Sequence, residues 1–170
     1  MNAGAYNGEM SQVVVSADCI ARNGERFTLS ADELSLGYRH SALMDYPENE
    51  NPIVVGVTLN LQTGEREVIA ARMRELISKR QEKQPLEYPS AGSFFKRPTG
   101  YFAGALIDEA GLKGYRVGDA QVSEKHAGFV VNRGNATATE LCQLCEDVQT
   151  IVEQKSGVRL EPEVRFVGEF

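Results

Sequence analysis

The sequence predicts an α+β fold. Three observations carry that reading: β-branched runs at residues 12–21, 52–61 and 128–132, helical periodicity over residues 65–82 and 137–155, and no strict strand–helix–strand repeat. The chain has 170 residues, enough to bury a core, with 42% apolar and 25% charged residues, which is a globular composition.

Each element has a local reason. Residues 1–10 are rich in Gly and Asn and read as a loop. Residues 12–21 (QVVVSADCIA) and 25–29 read as strands, with Asn23-Gly24 between them as a two-residue hairpin turn in which both positions tolerate positive φ. Ser30 followed by Glu33 is a capping box and predicts a short helical turn. Residues 37–41 (GYRHS) form a polar connector, and residues 45–52 a loop with two prolines and two asparagines. Residues 52–61 (PIVVGVTLNL) predict a strand. The helix over 65–82 places Ile69, Met73, Leu76 and Ile77 on one face and leaves Arg66, Arg74 and Lys79 outward. Pro85 stops it after Lys83, because the residue before proline avoids the helical region.

Residues 90–100 (SAGSFFKRPTG) form a polar, glycine-bearing loop between helical segments, the usual place for a scaffold to present chemistry. A helix over 101–110 ends at Gly111. Residues 114–122 read as loop or short strand, and residues 128–132 (GFVVN) as a strand. Thr137 and Glu140 are a second capping box, opening a helix to 155 that Gly157 ends. Residues 158–167 (VRLEPEVRFV) predict a last strand interrupted by Pro162. A division near 83–89 gives two units, 1–83 and 84–170.

Composition excludes several function classes. A formal charge of −6 argues against sequence-independent nucleic-acid binding, which rests on clustered cations. No apolar run has the length to span a bilayer, and no basic-then-apolar leader opens the chain, so a cytoplasmic protein is expected. The odd count of 3 cysteines fits a reducing compartment. Cys142 and Cys145 form a C-x-x-C within the helical pattern of Leu141, Leu144, Val148, Ile151 and Val152. With no second cysteine pair, and with His40 and His126 far apart, packing rather than metal binding is expected, and no metal site is assigned.

No phosphate-binding P-loop, nucleophile elbow or zinc-protease signature is present. The residue pattern leaves dispersed polar loop residues: Tyr38, Arg39, Lys83, Ser93, Lys96, His126 and Glu163. Arg39 is either a clamp for a carboxylate or phosphate or a solvated surface cation. Ser93 is either a reactive hydroxyl or a backbone-bonding one. Glu163, after a proline in an apolar stretch, either faces solvent or lines a pocket. Spacing alone supports a ligand-binding α+β protein and no more.

Taken in order, residues 1–6 (MNAGAY), 37–41 (GYRHS), 90–100 (SAGSFFKRPTG), 101–116 (YFAGALIDEAGLKGYR), 118–132 (GDAQVSEKHAGFVVN), 134–137 (GNAT) and 160–168 (LEPEVRFVG) resemble the UDP-N-acetylenolpyruvoylglucosamine reductases, the MurB family. The resemblance spans essentially the whole chain. It implies that 1–83 is the C-terminal portion of a FAD-binding domain and that 84–170 is the family's α+β substrate-binding domain. It implies a peptidoglycan-precursor reaction in which NADPH reduces FAD and the flavin reduces the enolpyruvyl group of a UDP-sugar. On the positions that match, it implies Ser93 as proton donor, with Arg39 and Glu163 stabilising the carboxylate and enolate. It puts Tyr38, Lys83, Lys96, Arg97 and His126 on the substrate side. Asn2, Gly4, Ala5, Tyr6 and Arg80 fall on the flavin side. Arg97 stands where some members carry asparagine, and it can still serve an anionic diphosphate. The connection after residues 37–41 resembles the subgroup without an extra tyrosine-bearing loop.

The family's glycine-rich segments for the FAD pyrophosphate precede the motif found at residues 1–6. The expectation is therefore a truncated enzyme with weak or absent flavin binding by this chain alone. The alternatives are a non-catalytic UDP-sugar-binding module, and an inert folding unit that self-associates through an exposed former domain interface.

Overall fold

A computed structural model describes residues 2–169 of the chain. The chain divides into two compact units, Met1–Arg72 and Met73–Phe170.

The first unit opens with a two-stranded hairpin, β1 (Gly4–Ala5) and β2 (Gly8–Glu9), in which Gly4 faces Glu9 and Ala5 faces Gly8. Its two turn residues, Tyr6 and Asn7, have φ of 51° and 67°, the double positive φ of a type I′ turn. The expected loop is thus a hairpin. A tyrosine at the first turn position hides it, because bulky residues seldom take that conformation.

β3 (Val14–Ile20) is the centre of an antiparallel sheet ordered β4 (Arg26–Ser30), β3, β5 (Ile53–Leu59). The β3–β4 connection differs from the expected two-residue turn. Gly24 alone has positive φ (88°), its N–H donates to the Ala21 carbonyl at 2.9 Å, and the Asn23 side chain accepts from the Glu25 amide at 3.0 Å. Asn23 is spent on that local bond rather than on a left-handed backbone. α1 (Ala31–Leu34) starts at the expected box: the Ser30 amide donates to Glu33 Oε2 at 2.8 Å, and the Glu33 amide donates to Ser30 Oγ at 3.3 Å. The core here is small. Ala17, Cys19 and Leu34 are buried, with Val14, Phe27, Leu29, Leu36 and Leu43 packed against them.

α2 (Arg66–Lys83) carries the chain onward. The expected spacing is present, yet no residue of the helix is buried, and Ile69, Met73 and Ile77 are exposed. Among the described residues of α2 only Ala70 and Leu76 are half-buried, so the helical spacing does not by itself make a buried face.

The second unit holds an antiparallel sheet ordered β6 (Arg116–Val117), β7 (Ala120–Val122), β8 (Val130–Asn132), packed with α3 (Ala103–Glu109) and α4 (Ala138–Ser156). α4 lies between the Thr137–Glu140 box and Gly157, whose φ is 73°. It buries Leu144, Cys145, Val148 and Val152, whose helical spacing puts them on one face. They join Phe94, Phe95, Leu106, Ile107, Val122 and Leu160 in one continuous core. Burial, reinforced by Cys142 nearby, pushes the Cys145 thiol up to about 11, the behaviour of a packed cysteine.

α3 starts two residues later than the pattern suggests, because Tyr101 first closes a turn onto the Pro98 carbonyl at 3.1 Å. The expected strand over 158–167 does not form. Pro162 lacks an N–H, and the segment makes one isolated bridge, to Phe95, instead of a ladder.

Candidate active site

The segment at residues 90–100 runs between two other stretches of the second unit. On one side Ser93 bridges Phe129, and the Phe94 amide donates to the Gly128 carbonyl at 2.9 Å. On the other side the Glu163 amide donates to the Phe94 carbonyl at 2.9 Å, and the Lys96 amide donates to the Glu161 carbonyl at 2.8 Å. Phe94 and Phe95 are buried as a T-shaped pair with ring centroids 5.1 Å apart. Two anchored aromatics and four strand-like contacts thus fix a short segment that has no helix or sheet of its own. Ser93 is left exposed on it, after Gly92, whose φ of 87° favours glycine.

This clamp joins three of the expected residues. Ser93 and Glu163 flank the Phe94 rung, and His126 lies two residues before the Gly128 carbonyl that closes it. The His126 ring is exposed and packs edge-on to Phe129 at 4.9 Å. Its Nδ1 accepts from the Gly128 amide at 3.1 Å, so Nε2 carries the proton of the neutral ring. Packing is tight where α3 meets this turn: a Cβ at Gly104 would lie 3.2 Å from the Gly128 nitrogen.

The cations nearby are positioned too. Lys96 pairs with Glu161, an exposed and therefore weak ion pair. The Arg97 guanidinium stacks on the Phe102 ring at 3.9 Å, and its Nε donates to the Tyr101 carbonyl at 3.3 Å. Arg80 and Lys83 are exposed in the last turn of α2, where Lys125 Nζ donates to the Gln81 carbonyl at 2.8 Å.

The remaining expected residues lie in the first unit, in two motifs that the fold joins. Asn2 forms a parallel bridge with Tyr38. Asn2 is buried, and its side chain is engaged internally: Nδ2 donates to Glu9 Oε2 at 2.8 Å, and Oδ1 accepts from the Ser11 amide at 2.9 Å. It braces the β1–β2 hairpin that presents Gly4, Ala5 and Tyr6. Gly37 and His40 exchange backbone bonds of 3.2 Å each, which puts Tyr38 and Arg39 at the tip of a tight turn. Arg39 has φ of 54°, and its guanidinium lies 5.4 Å from the Tyr38 ring. A long side chain held in the left-handed region is strained, and such residues cluster at ligand sites. Tyr6 shares that property.

Phe129, Gly128, Glu161 and Phe102, which hold the site together, were not singled out from sequence. The apolar GFVVN run at 128–132 was the local signal for Gly128 and Phe129. Among the described residues no group of three or more His, Cys, Asp or Glu is placed to hold a metal ion.

The comparisons with known proteins agree with one another. A family model described as "UDP-N-acetylenolpyruvoylglucosamine reductase, C-terminal domain" matches residues 84–167. The UDP-N-acetylenolpyruvoylglucosamine reductase of Pediococcus pentosaceus is 54% identical over 169 residues, which is 99% of this chain and 55% of that protein. The reductase of Agathobacter rectalis is 55% identical over 170 residues, 100% of this chain and 53% of that protein. The crystal structure of UDP-N-acetylenolpyruvylglucosamine reductase (MurB) from Thermus caldophilus superposes with a TM-score of 0.79 at 38% identity, covering 96% of this chain and 57% of that one. The chain spans about half the length of the curated relatives it matches.

Proposed function

Because the chain belongs to the UDP-N-acetylenolpyruvoylglucosamine reductase family, we propose that it is the substrate-holding part of an NADPH- and FAD-dependent reductase of peptidoglycan precursor synthesis. The observation that carries this reading is the clamp that fixes Ser93 and Glu163 on either side of Phe94. We divide the chain's work at residue 83, with flavin contacts before it and the substrate-binding domain over 84–170.

Saturating an enolpyruvyl ether needs a hydride at the terminal carbon and a proton at the carbon next to the carboxylate. FAD, recharged by NADPH, supplies the hydride when bound. Ser93 supplies the proton. A serine hydroxyl is a weak acid, but the carbanion beside a carboxylate is strongly basic, and a fixed donor makes the transfer feasible. Arg39 takes the carboxylate, its guanidinium stabilising the charge that develops there, and Glu163 is assigned with it to the enolate. Lys83, Lys96 and Arg97 serve the diphosphate, while Tyr38 and the His126 Nε2–H contact the rest of the UDP-sugar. A nucleotide-sugar reaction fed by NADPH belongs in the cytoplasm.

The residues present fit part of a flavin. The β1–β2 hairpin exposes Gly4 and Ala5 backbone and a Tyr6 ring that is 43% exposed, an edge for a flat ring system, with Arg80 as the further flavin-side cation. By the family resemblance, glycine-rich segments that precede the motif at residues 1–6 supply the amides for the FAD pyrophosphate, and on that ground we expect this chain alone to hold FAD weakly.

The test uses the purified chain. We expect a colourless protein that does not oxidise NADPH and whose melting temperature rises with the UDP-sugar. Absence of any shift with UDP-sugar would remove the substrate-holding reading.

A further inference from the structure

We propose that His40 is a positioning residue for Arg39. Its ring, bonded to Asp45, ties the strained turn that carries the guanidinium to the core of the first unit. The pair thereby sets the preference for a ligand that bears a carboxylate. This deepens the reading above and rests on it, because there Arg39 takes the substrate carboxylate.

Arg39 has φ of 54°, and a long side chain keeps that conformation only where its surroundings over-determine it. The turn does little of this by itself. Its two backbone bonds, between Gly37 and His40, are both 3.2 Å, the long end of the ordinary range. The leading side is braced from outside: Tyr38, whose ring lies 5.4 Å from the Arg39 guanidinium, bridges Asn2, and the Asn2 side chain is bonded to Glu9 and Ser11. On the trailing side the brace is a side chain. His40 Nε2 lies 2.8 Å from Asp45 Oδ1, a closer contact than either backbone bond of the turn.

A brace is as firm as its far end, and this one is anchored. Asp45 closes a 3₁₀ turn over Ala42–Met44, in which the Met44 amide donates to the Ser41 carbonyl at 2.8 Å and the Asp45 amide to the Ala42 carbonyl at 3.1 Å. Ser41 at the start of that turn is 1% exposed, and Leu43 within it packs against buried Ala17, Cys19 and Leu34. The path from the core to the guanidinium therefore runs from Leu43 through Asp45 and His40 to Arg39.

As a contribution to stability the pair is minor. Both side chains are largely in water, 45% exposed for His40 and 64% for Asp45, and exposed pairs gain little there. What it supplies is orientation. A guanidinium holds a carboxylate through a planar two-pronged fork, so its direction matters more than that of a point charge. Loosening the turn then lowers affinity for a ligand with a carboxylate and spares one without.

The experiment measures, by calorimetry on the purified chain, affinity for UDP-N-acetylglucosamine enolpyruvate and for UDP-N-acetylglucosamine, which has no carboxylate. We expect the unaltered chain to prefer the first by about tenfold, the usual worth of a charge-assisted hydrogen bond. His40→Ala and Asp45→Ala each abolish most of that preference while leaving affinity for UDP-N-acetylglucosamine unchanged. The double variant is no worse than either, because both remove one contact. His40→Gln, whose Nε2 can still reach Asp45, keeps the preference. A second readout needs no ligand: amide exchange at Gly37 and His40 becomes several-fold faster in His40→Ala and stays slow in His40→Gln. Circular dichroism checks folding, and Lys113→Ala, which breaks the exposed pair with Asp108, is the control. A preference that survives His40→Ala, or is lost equally in His40→Gln, overturns the proposal. So does equal affinity of the unaltered chain for both ligands, or turn amides that His40→Ala leaves unchanged. Binding of neither ligand strikes the functional reading instead, and the exchange measurement then decides the positioning.

Discussion

The Glu163 amide donates to the Phe94 carbonyl at 2.9 Å, while the Phe94 amide donates to Gly128 on the other side. One buried residue thereby holds Ser93 and Glu163 in register across chain positions far apart in sequence. The contact joins segments that neither a helix nor a sheet would have brought together.

The first prediction concerns Ser93. In a fusion of this chain to the part of a relative that the match leaves out, Ser93→Ala slows oxidation of the reduced flavin by the enolpyruvyl substrate by about 10²–10⁴-fold, the usual worth of a positioned proton donor. Flavin reduction by NADPH is unchanged. Stopped-flow absorbance separates the two half-reactions, and equal slowing of both contradicts the assignment.

The second concerns the start of α4. A Cβ at Gly118 would land on the Glu140 carboxylate, and φ there is 55°. That carboxylate accepts from the Thr137 amide at 2.8 Å to close the cap. Gly118→Ala costs about 1–3 kcal/mol through strain and lost capping. Thr137→Ala costs about 1 kcal/mol. The double variant costs less than the sum, because both changes strike one box. Urea unfolding measures all three.

The third concerns the core. Leu144 is completely buried, so Leu144→Ala loses about 2–5 kcal/mol in the same assay. Leu76→Ala on the open face of α2 loses far less, because Leu76 is only half-buried.

The fourth concerns pH. Burial raises the Cys145 thiol from 9.0 to about 11, so the folded state keeps a proton that the unfolded state has released. Stability from this group is fully present below pH 9 and is lost as pH rises towards 11. Cys145→Ala flattens that part of the stability curve. Cys145 also reacts with iodoacetamide more slowly than the half-buried Cys142 at pH 8.

Sequence reading worked where the cause is local. The two capping boxes, the buried face of α4, and the β3, β4 and β5 runs all follow from side-chain chemistry within a few residues. It failed where the cause is distant. The Ile69, Met73, Ile77 spacing puts these residues on one face, but burial is decided by distant packing, and all three are exposed. The run at 158–167 looks like a strand, yet Pro162 and the pull of Phe94 and Phe95 turn it into a clamp. The I′ turn at Tyr6 and Asn7 was invisible because propensity disfavours tyrosine there. In the site, the residue pattern marked Ser93 and Glu163 only as polar candidates and the resemblance gave them roles; that both lie beside Phe94 is long-range and left no local mark.

The central claim, that the 90–100 segment and its two neighbours hold a UDP-sugar, is tested most directly by titrating the isotope-labelled chain with UDP-N-acetylglucosamine enolpyruvate and following backbone amide shifts. The account predicts saturable shifts clustered at Ser93, Phe94, His126, Gly128 and Glu163. Shifts confined elsewhere, for example to the polar cleft lined by Glu87, Tyr88 and Arg133, or no shifts at all, would contradict it.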